Sequence, residues 1–145
     1  MAKWTLDNEL LAEAFFEDAR LFGIQCPASP QKFVWLVNNH FAFDFRYSAG
    51  SEVEMKKKGR TFTFPLFRFF ENHLNVEHII YANHCDGEYL LPELKHTDFL
   101  WLIKSDNHSA SFLDLLANEL RKVSQIQLVT LLSNDKIKNK QQLVL

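Results

Sequence analysis

Two carboxylates, Glu93 and Asp98, flank a short segment that opens on a proline, Pro92-Glu93-Leu94-Lys95-His96-Thr97-Asp98. Such a pair can do general acid and base work when both side chains reach one cleft. Asp98 leads directly into Phe99-Leu100-Trp101-Leu102-Ile103, and a carboxylate among apolar neighbours must be paired or hydrogen-bonded. The plainer role is therefore structural, with Asp98 bonding loop backbone amides or a nearby Lys or Arg. A second set, His78, His84, Cys85, Asp86 and His96, holds zinc-type ligands. Adjacent His84 and Cys85 would point to opposite faces of a strand, and no CxxC or HxxxH spacing supports a centre. No metal and no cofactor is expected. Cys26, before Pro27 and a helix start, lacks an identifiable base and is expected to pack as a small hydrophobe. No GxSxG, P-loop or GxGxxG occurs, so no residue is assigned as catalytic.

The run Lys56-Lys57-Lys58-Gly59-Arg60-Thr61-Phe62-Thr63-Phe64 alternates cations and aromatics. Bases stacked on exposed Phe, with Lys57, Lys58 and Arg60 on phosphates, would be an RNA-binding arrangement. The plainer reading is a solvated hairpin turn with core phenylalanines behind it. Composition weakens the RNA reading, because the net charge is -2.

The elements that position these groups belong to one domain, residues 1–145. With 47% hydrophobic residues, 4 Gly and 4 Pro, the chain has the core of a globular fold and little room for linkers. Acidic residues interrupt the N-terminus before any apolar leader develops. No apolar stretch nears the roughly 20 residues that span a bilayer. Two cysteines make no disulfide scaffold. A cytoplasmic protein without a membrane partner is expected.

A short helix or arm is possible over residues 10–15. Leu21 to Cys26 reads as a strand ending at Pro27. Ser29-Pro30 starts a helix whose stripe is Phe33, Val34, Val37 and Phe41, widened by Trp35 and Leu36, ending near Asn38-Asn39-His40. Phe43, Phe45 and Tyr47 alternate as a strand, followed by strands at Val53–Met55 and Phe62–Leu66, where Pro65 demands an edge or a bulge. Val76–Asn83 and the nearly all-apolar Thr97–Ile103 are further strands, the latter central. Ser111 and Asp114 suggest a capping box for a helix with the stripe Phe112, Leu116, Leu120, Val123. Ile126–Leu132 closes the set. The order predicts an α+β fold: one antiparallel or mixed sheet with both helices on one face, a distant variant of the ferredoxin-like arrangement.

The aromatic content adds a functional expectation. Phe67, Phe69 and Phe70 follow Phe62 and Phe64, so both faces of that strand carry rings, and an exposed aromatic edge needs cover. Cover by the N-terminal arm is the plainer account; cover by a protein partner or a second copy is the functional one and makes the chain a non-enzymatic interaction module. The alternatives are an RNA-associated factor using residues 56–64 and an enzyme using Glu93 and Asp98.

One segment resembles a known family. Leu91-Pro92-Glu93-Leu94-Lys95-His96-Thr97-Asp98-Phe99 is similar to the signature of the bacterial IPExxxVDY family, with Leu91 for Ile, Thr97 for Val and Phe99 for Tyr. Pro92, Glu93 and Asp98 match as they stand. Phe22-Gly23-Ile24, Trp35-Leu36-Val37-Asn38 and the Lys-rich tail before Leu143-Val144-Leu145 extend the resemblance. It implies Pro92, Glu93, Asp98 and Phe99 as the motif positions and brings no established activity with it.

Overall fold

The computed structural model describes residues 19–47, 50, 52–85, 87–105, 110–132 and 143, with side chains from 112 in the second helix. The N-terminal helix or arm at 10–15 and the basic tail Asn134 to Gln142 lie outside the described residues, as do Asp86 and the Ser111 side chain. Among the described residues ten strands occur in chain order: β1 Ala19–Gln25, β2 Arg46–Tyr47, β3 Val53–Lys57, β4 Arg60–Phe64, β5 Leu66–Glu71, β6 Val76–Ala82, β7 His84–Cys85, β8 Glu88–Tyr89, β9 Phe99–Lys104 and β10 Leu128–Leu132. Helix α1 spans Pro30–Phe41 and α2 spans Ala110–Arg121.

The main sheet is six-stranded, in the order β10-β1-β9-β6-β5-β2, with antiparallel neighbours throughout. It follows that β1 and β6 run parallel across β9, and β9 and β10 run parallel across β1. The path from β9 to β10 runs through α2, and that from β1 to β6 through α1 and then strands β2 to β5. The inner order β10-β1-β9-β6 is the ferredoxin-like arrangement with β5 and β2 appended, an α+β fold as the element order predicts.

Alternation along the central strands divides the side chains between two cores. Phe22, Ile24, Ile80, Trp101 and Ile103 meet Phe33, Val34 and Val37 of α1 and Leu116 and Leu120 of α2. Ser29 caps α1 by accepting from the Lys32 amide at 3.2 Å, and the helix ends at Ala42 in the left-handed conformation. A 3.1 Å bond between His40 and Glu119 ties the helices together on their outer side.

The opposite face is also buried. Leu21, Leu66, Ile79, Tyr81, Leu100 and Leu102 are covered by Phe62 and Phe64 of the separate β3–β4 hairpin, by Leu90 and Leu91, and by Leu143. Double coverage explains why β9 is apolar on both faces. Pro65 marks the crossover, for β4 lies in the hairpin sheet and β5 in the main sheet. Its carbonyl accepts from the Ala82 amide at 3.0 Å in register with the β5–β6 ladder, and its missing N–H leaves the reciprocal bond of that pair unmade, so the ladder begins at the crossover.

Three details differ from the pattern read in the sequence. Trp35 does not widen the α1 stripe; it is 58% exposed, with Lys32 over its ring. Phe43 and Phe45 precede a strand of only two residues, because Asn38 captures both backbone groups of Phe45, accepting from its amide at 2.9 Å and donating to its carbonyl at 3.1 Å. Tyr47 is exposed. The aromatic run is not an exposed edge either: Phe62, Phe64 and Phe67 are buried, Phe69 is half-buried, and Phe70 alone of them is exposed.

Candidate functional site

The motif segment is organised from β6. Asn83, directly after that strand, is fully buried. Its side-chain carbonyl accepts from the Leu91 amide at 2.8 Å, and its Nδ2 donates to the carbonyls of Leu94 (3.0 Å) and Thr97 (2.8 Å). Its backbone N–H donates to the Asp98 carbonyl, and its own carbonyl accepts from Leu90. One amide side chain thus fills its polar capacity against a loop that has no ladder of its own. Pro92 opens a 3-10 turn over Pro92–Leu94, where a missing N–H is harmless, and Leu91 before it is extended and buried.

Asp98 completes the arrangement. Its Oδ2 accepts from the Cys26 amide at 2.8 Å, and its own amide donates to the Ile24 carbonyl at 2.9 Å. The carboxylate therefore takes up the amide of the residue just beyond β1, at the mouth of β9. Asp98 and Glu93 are both half-exposed, and Phe99 is buried with its ring stacked on Phe33 at 4.2 Å. Burial pushes the Cys26 thiol up, the Asp98 charge adds to that, and a bond with the Ala28 backbone opposes it. A thiol so placed is a poor nucleophile.

A second polar group lies under the helices. His78 is fully buried and Glu71 nearly so. The Trp101 indole donates from Nε1 to His78 Nδ1 at 3.0 Å, and His78 Nε2 lies 2.6 Å from Glu71 Oε1. An indole N–H is donor-only, so Nδ1 is the acceptor and the imidazole proton resides on Nε2, donated to the carboxylate. Phe43, Phe45 and Phe69 pack within 6.0 Å of the His78 ring. Burial lowers the His78 pKa while Glu71 pulls it upward. This imidazole is enclosed in aromatics with both nitrogens engaged. Its burial has a signal in the sequence, since His78 is in phase with Val76, Ile80 and Ala82, all facing the helix side. Asn83 gives no comparable signal.

The remaining candidates are dispersed. His84 sits against Tyr89 at 4.9 Å in the small β7–β8 hairpin, away from the His78 network. Among the described residues no three His, Cys, Asp or Glu side chains come together as a metal ligand set. At the hairpin tip, Lys57 bonds Glu88 at 3.0 Å, Arg60 lies over the Phe62 ring, and Lys58 occupies the turn at φ 54°. Two of the three cations proposed for phosphates are thus engaged within the chain.

The outer edge of β10 differs from these internally satisfied groups. Gln25 accepts from the Gln127 amide at 2.8 Å, so Leu21, Gly23 and Gln25 turn their backbone groups toward β10. Their partners Thr130 and Leu132 face β1, and Val129 and Leu131 present N–H and C=O outward. The Arg121 guanidinium at the end of α2 donates to the Val129 carbonyl at 3.1 Å and to Asn118 Oδ1 at 2.9 Å. Leu128 and Leu131 are 55% and 49% exposed, on opposite faces of the strand. The other edge, β2, has two residues and carries Arg46 paired with Asp44. Among the described residues no helix is long and apolar enough to cross a membrane. Comparison with protein-family models, with curated proteins and with solved structures finds no match for this chain.

Proposed function

We propose that this chain is a cytoplasmic, non-enzymatic protein-interaction module that docks through the outer edge of β10, and that its Leu91–Phe99 segment is an IPExxxVDY-like structural motif. The observation that carries the reading is the outer strand, a five-residue edge with no further strand beside it among the described residues, whose Val129 carbonyl meets Arg121 and whose two leucines are exposed. Open edges of that kind template pairing with another chain. Support also comes from where the polar groups are used: Asn83, Asp98, His78 and Glu71 each hold parts of the fold together. The two cysteines are free thiols, consistent with a reducing compartment.

Affinity capture with the intact chain, alongside size-exclusion light scattering, tests the reading. The wild type is expected to retain a partner or to run heavier than its 17.0 kDa monomer. Charged substitution of the edge, Leu128→Lys with Leu131→Lys, should abolish this. A strict monomer that retains nothing contradicts the proposal.

A further inference from the structure

We propose that the occupant of the β10 edge is an extended acidic segment of a partner protein, whose carboxylate draws the Arg121 guanidinium off the Val129 carbonyl as the strand adds. The inference rests on the interaction reading above and supplies the chemistry of the partner.

An added strand needs the outward groups of Val129 and Leu131, and one of them, the Val129 carbonyl, is held by Arg121 at 3.1 Å. An incoming strand must therefore displace that bond. Arg121 is well placed to be drawn away, because both of its side-chain bonds go to neutral acceptors, Val129 O and Asn118 Oδ1. The carboxylate next along the helix, Glu119, is already engaged by Lys122 at 2.9 Å and His40 at 3.1 Å. A carboxylate on the incoming strand would convert a neutral contact into a charge-assisted, bidentate one and free the carbonyl in the same movement. A lysine at that position would meet like charge. Leu131 on the helix face and Leu128 on the hairpin face then offer apolar contacts to alternate residues of the segment.

Charge selects this occupant over a second copy. Five residues extend about 17 Å at about 3.4 Å each. Pairing on that length is what strand addition by a peptide uses. A second copy paired antiparallel about Thr130 would also bring its own Arg121 to the seam, cation against cation.

Fluorescence anisotropy with two labelled octapeptides, alternating Val-Glu and alternating Val-Lys, tests the inference on the intact protein. The Glu peptide should bind, and the Lys peptide should bind at least about tenfold more weakly, a difference of ~1.4 kcal/mol. Leu131→Pro removes an outward N–H without touching the β1 ladder, so it should keep the circular dichroism and melting of the wild type and lose Glu-peptide binding by about tenfold or more. Arg121→Met should bring the two peptides to within about threefold of each other. Failure of the Glu peptide to bind, equal binding of both peptides to the wild type, or binding unaffected by Leu131→Pro would overturn the proposal. So would a heavier species in sedimentation without peptide that Leu131→Pro dissociates, which would identify a second copy as the occupant. If the Glu peptide fails to bind while Leu131→Pro still abolishes affinity capture, the acidic-strand inference falls and docking at β10 stands; if capture survives Leu131→Pro, docking at β10 falls with it; if the wild type retains nothing, the interaction reading falls too.

Discussion

Replacing Asn83 tests the physical account of the motif segment. Asn83→Ala deletes one acceptor and two donors in a fully buried position; the Leu91 amide and the Thr97 carbonyl lose the bonds that Asn83 gives them, and the Leu94 carbonyl keeps only the Thr97 amide. Each such bond contributes about 1 kcal/mol net, so a loss near 3 kcal/mol is expected. For a chain of this size that is a drop of about 6–12 °C in melting temperature. Asn83→Asp separates hydrogen bonding from shape. The carboxylate keeps the Leu91 bond but faces two carbonyls with lone pairs, which favours its protonated form. Its folded pKa is then raised above the unfolded value of about 3.9, so the folded state binds the extra proton and the variant recovers stability as pH falls toward that range. At pH 7 it should be less stable than Asn83→Ala. Urea denaturation followed by circular dichroism, at pH 7 and at pH 5, measures both. Destabilisation of Asn83→Ala below about 0.5 kcal/mol, or an Asn83→Asp deficit that does not shrink in acid, would refute the hub role.

Four further outcomes follow from the buried groups. His78 is neutral in the fold, whereas the unfolded chain takes up a proton near pH 6.5, so stability should decline as pH drops below that value by up to about 1.4 kcal/mol per unit. In Trp101→Phe, Nδ1 is released to accept a proton beside Glu71, and denaturation between pH 5 and 7 should show a shallower slope; an unchanged slope contradicts the tautomer assignment. In thiol labelling of the native protein, half-buried Cys85 should react well before Cys26, whose thiolate is disfavoured by burial and by Asp98; equal rates would show that the β1 end opens readily. Leu143 is fully buried over the hairpin-side core and its carbonyl accepts from the Tyr81 hydroxyl at 2.6 Å, so Leu143→Ala should cost about 2–5 kcal/mol in urea denaturation, and a loss under about 1 kcal/mol would mean that this contact does not hold in solution.

Much of the fold is legible because hydrophobic periodicity acts locally. The α1 cap at Ser29, its stripe at Phe33, Val34 and Val37, the central position of β9 and the last strand all emerge from spacing and flanking residues. What spacing does not carry is the partner of each face. Phe62 and Phe64 alternate as any half-buried strand does, and only the crossover at Pro65 decides that they roof the main sheet rather than extend it. Trp35 falls beside the helix stripe but lies at its margin, where the side chain takes a lysine contact and solvent instead of the core. The motif shows the same division. Pro92 announces a turn from its ring alone, and Asp98 beside an apolar run announces a need for hydrogen bonds. The group that organises the segment, Asn83, is an ordinary strand-ending residue in the sequence, because its three acceptors and donors arrive from eight to fourteen residues away. The β10 edge is hidden for a related reason, since Leu128–Leu132 reads as a strand without revealing that one side of it has no strand neighbour among the described residues.

Amide hydrogen exchange at the outer strand, resolved residue by residue by NMR, bears most directly on the docking account. In the free protein the Val129 and Leu131 amides should exchange fast while Thr130, bonded to β1, is protected. With saturating Val-Glu octapeptide the two outward amides should become protected and Thr130 should stay as it was. Val129 and Leu131 already protected in the free chain, or unprotected in the peptide-bound one, would contradict it.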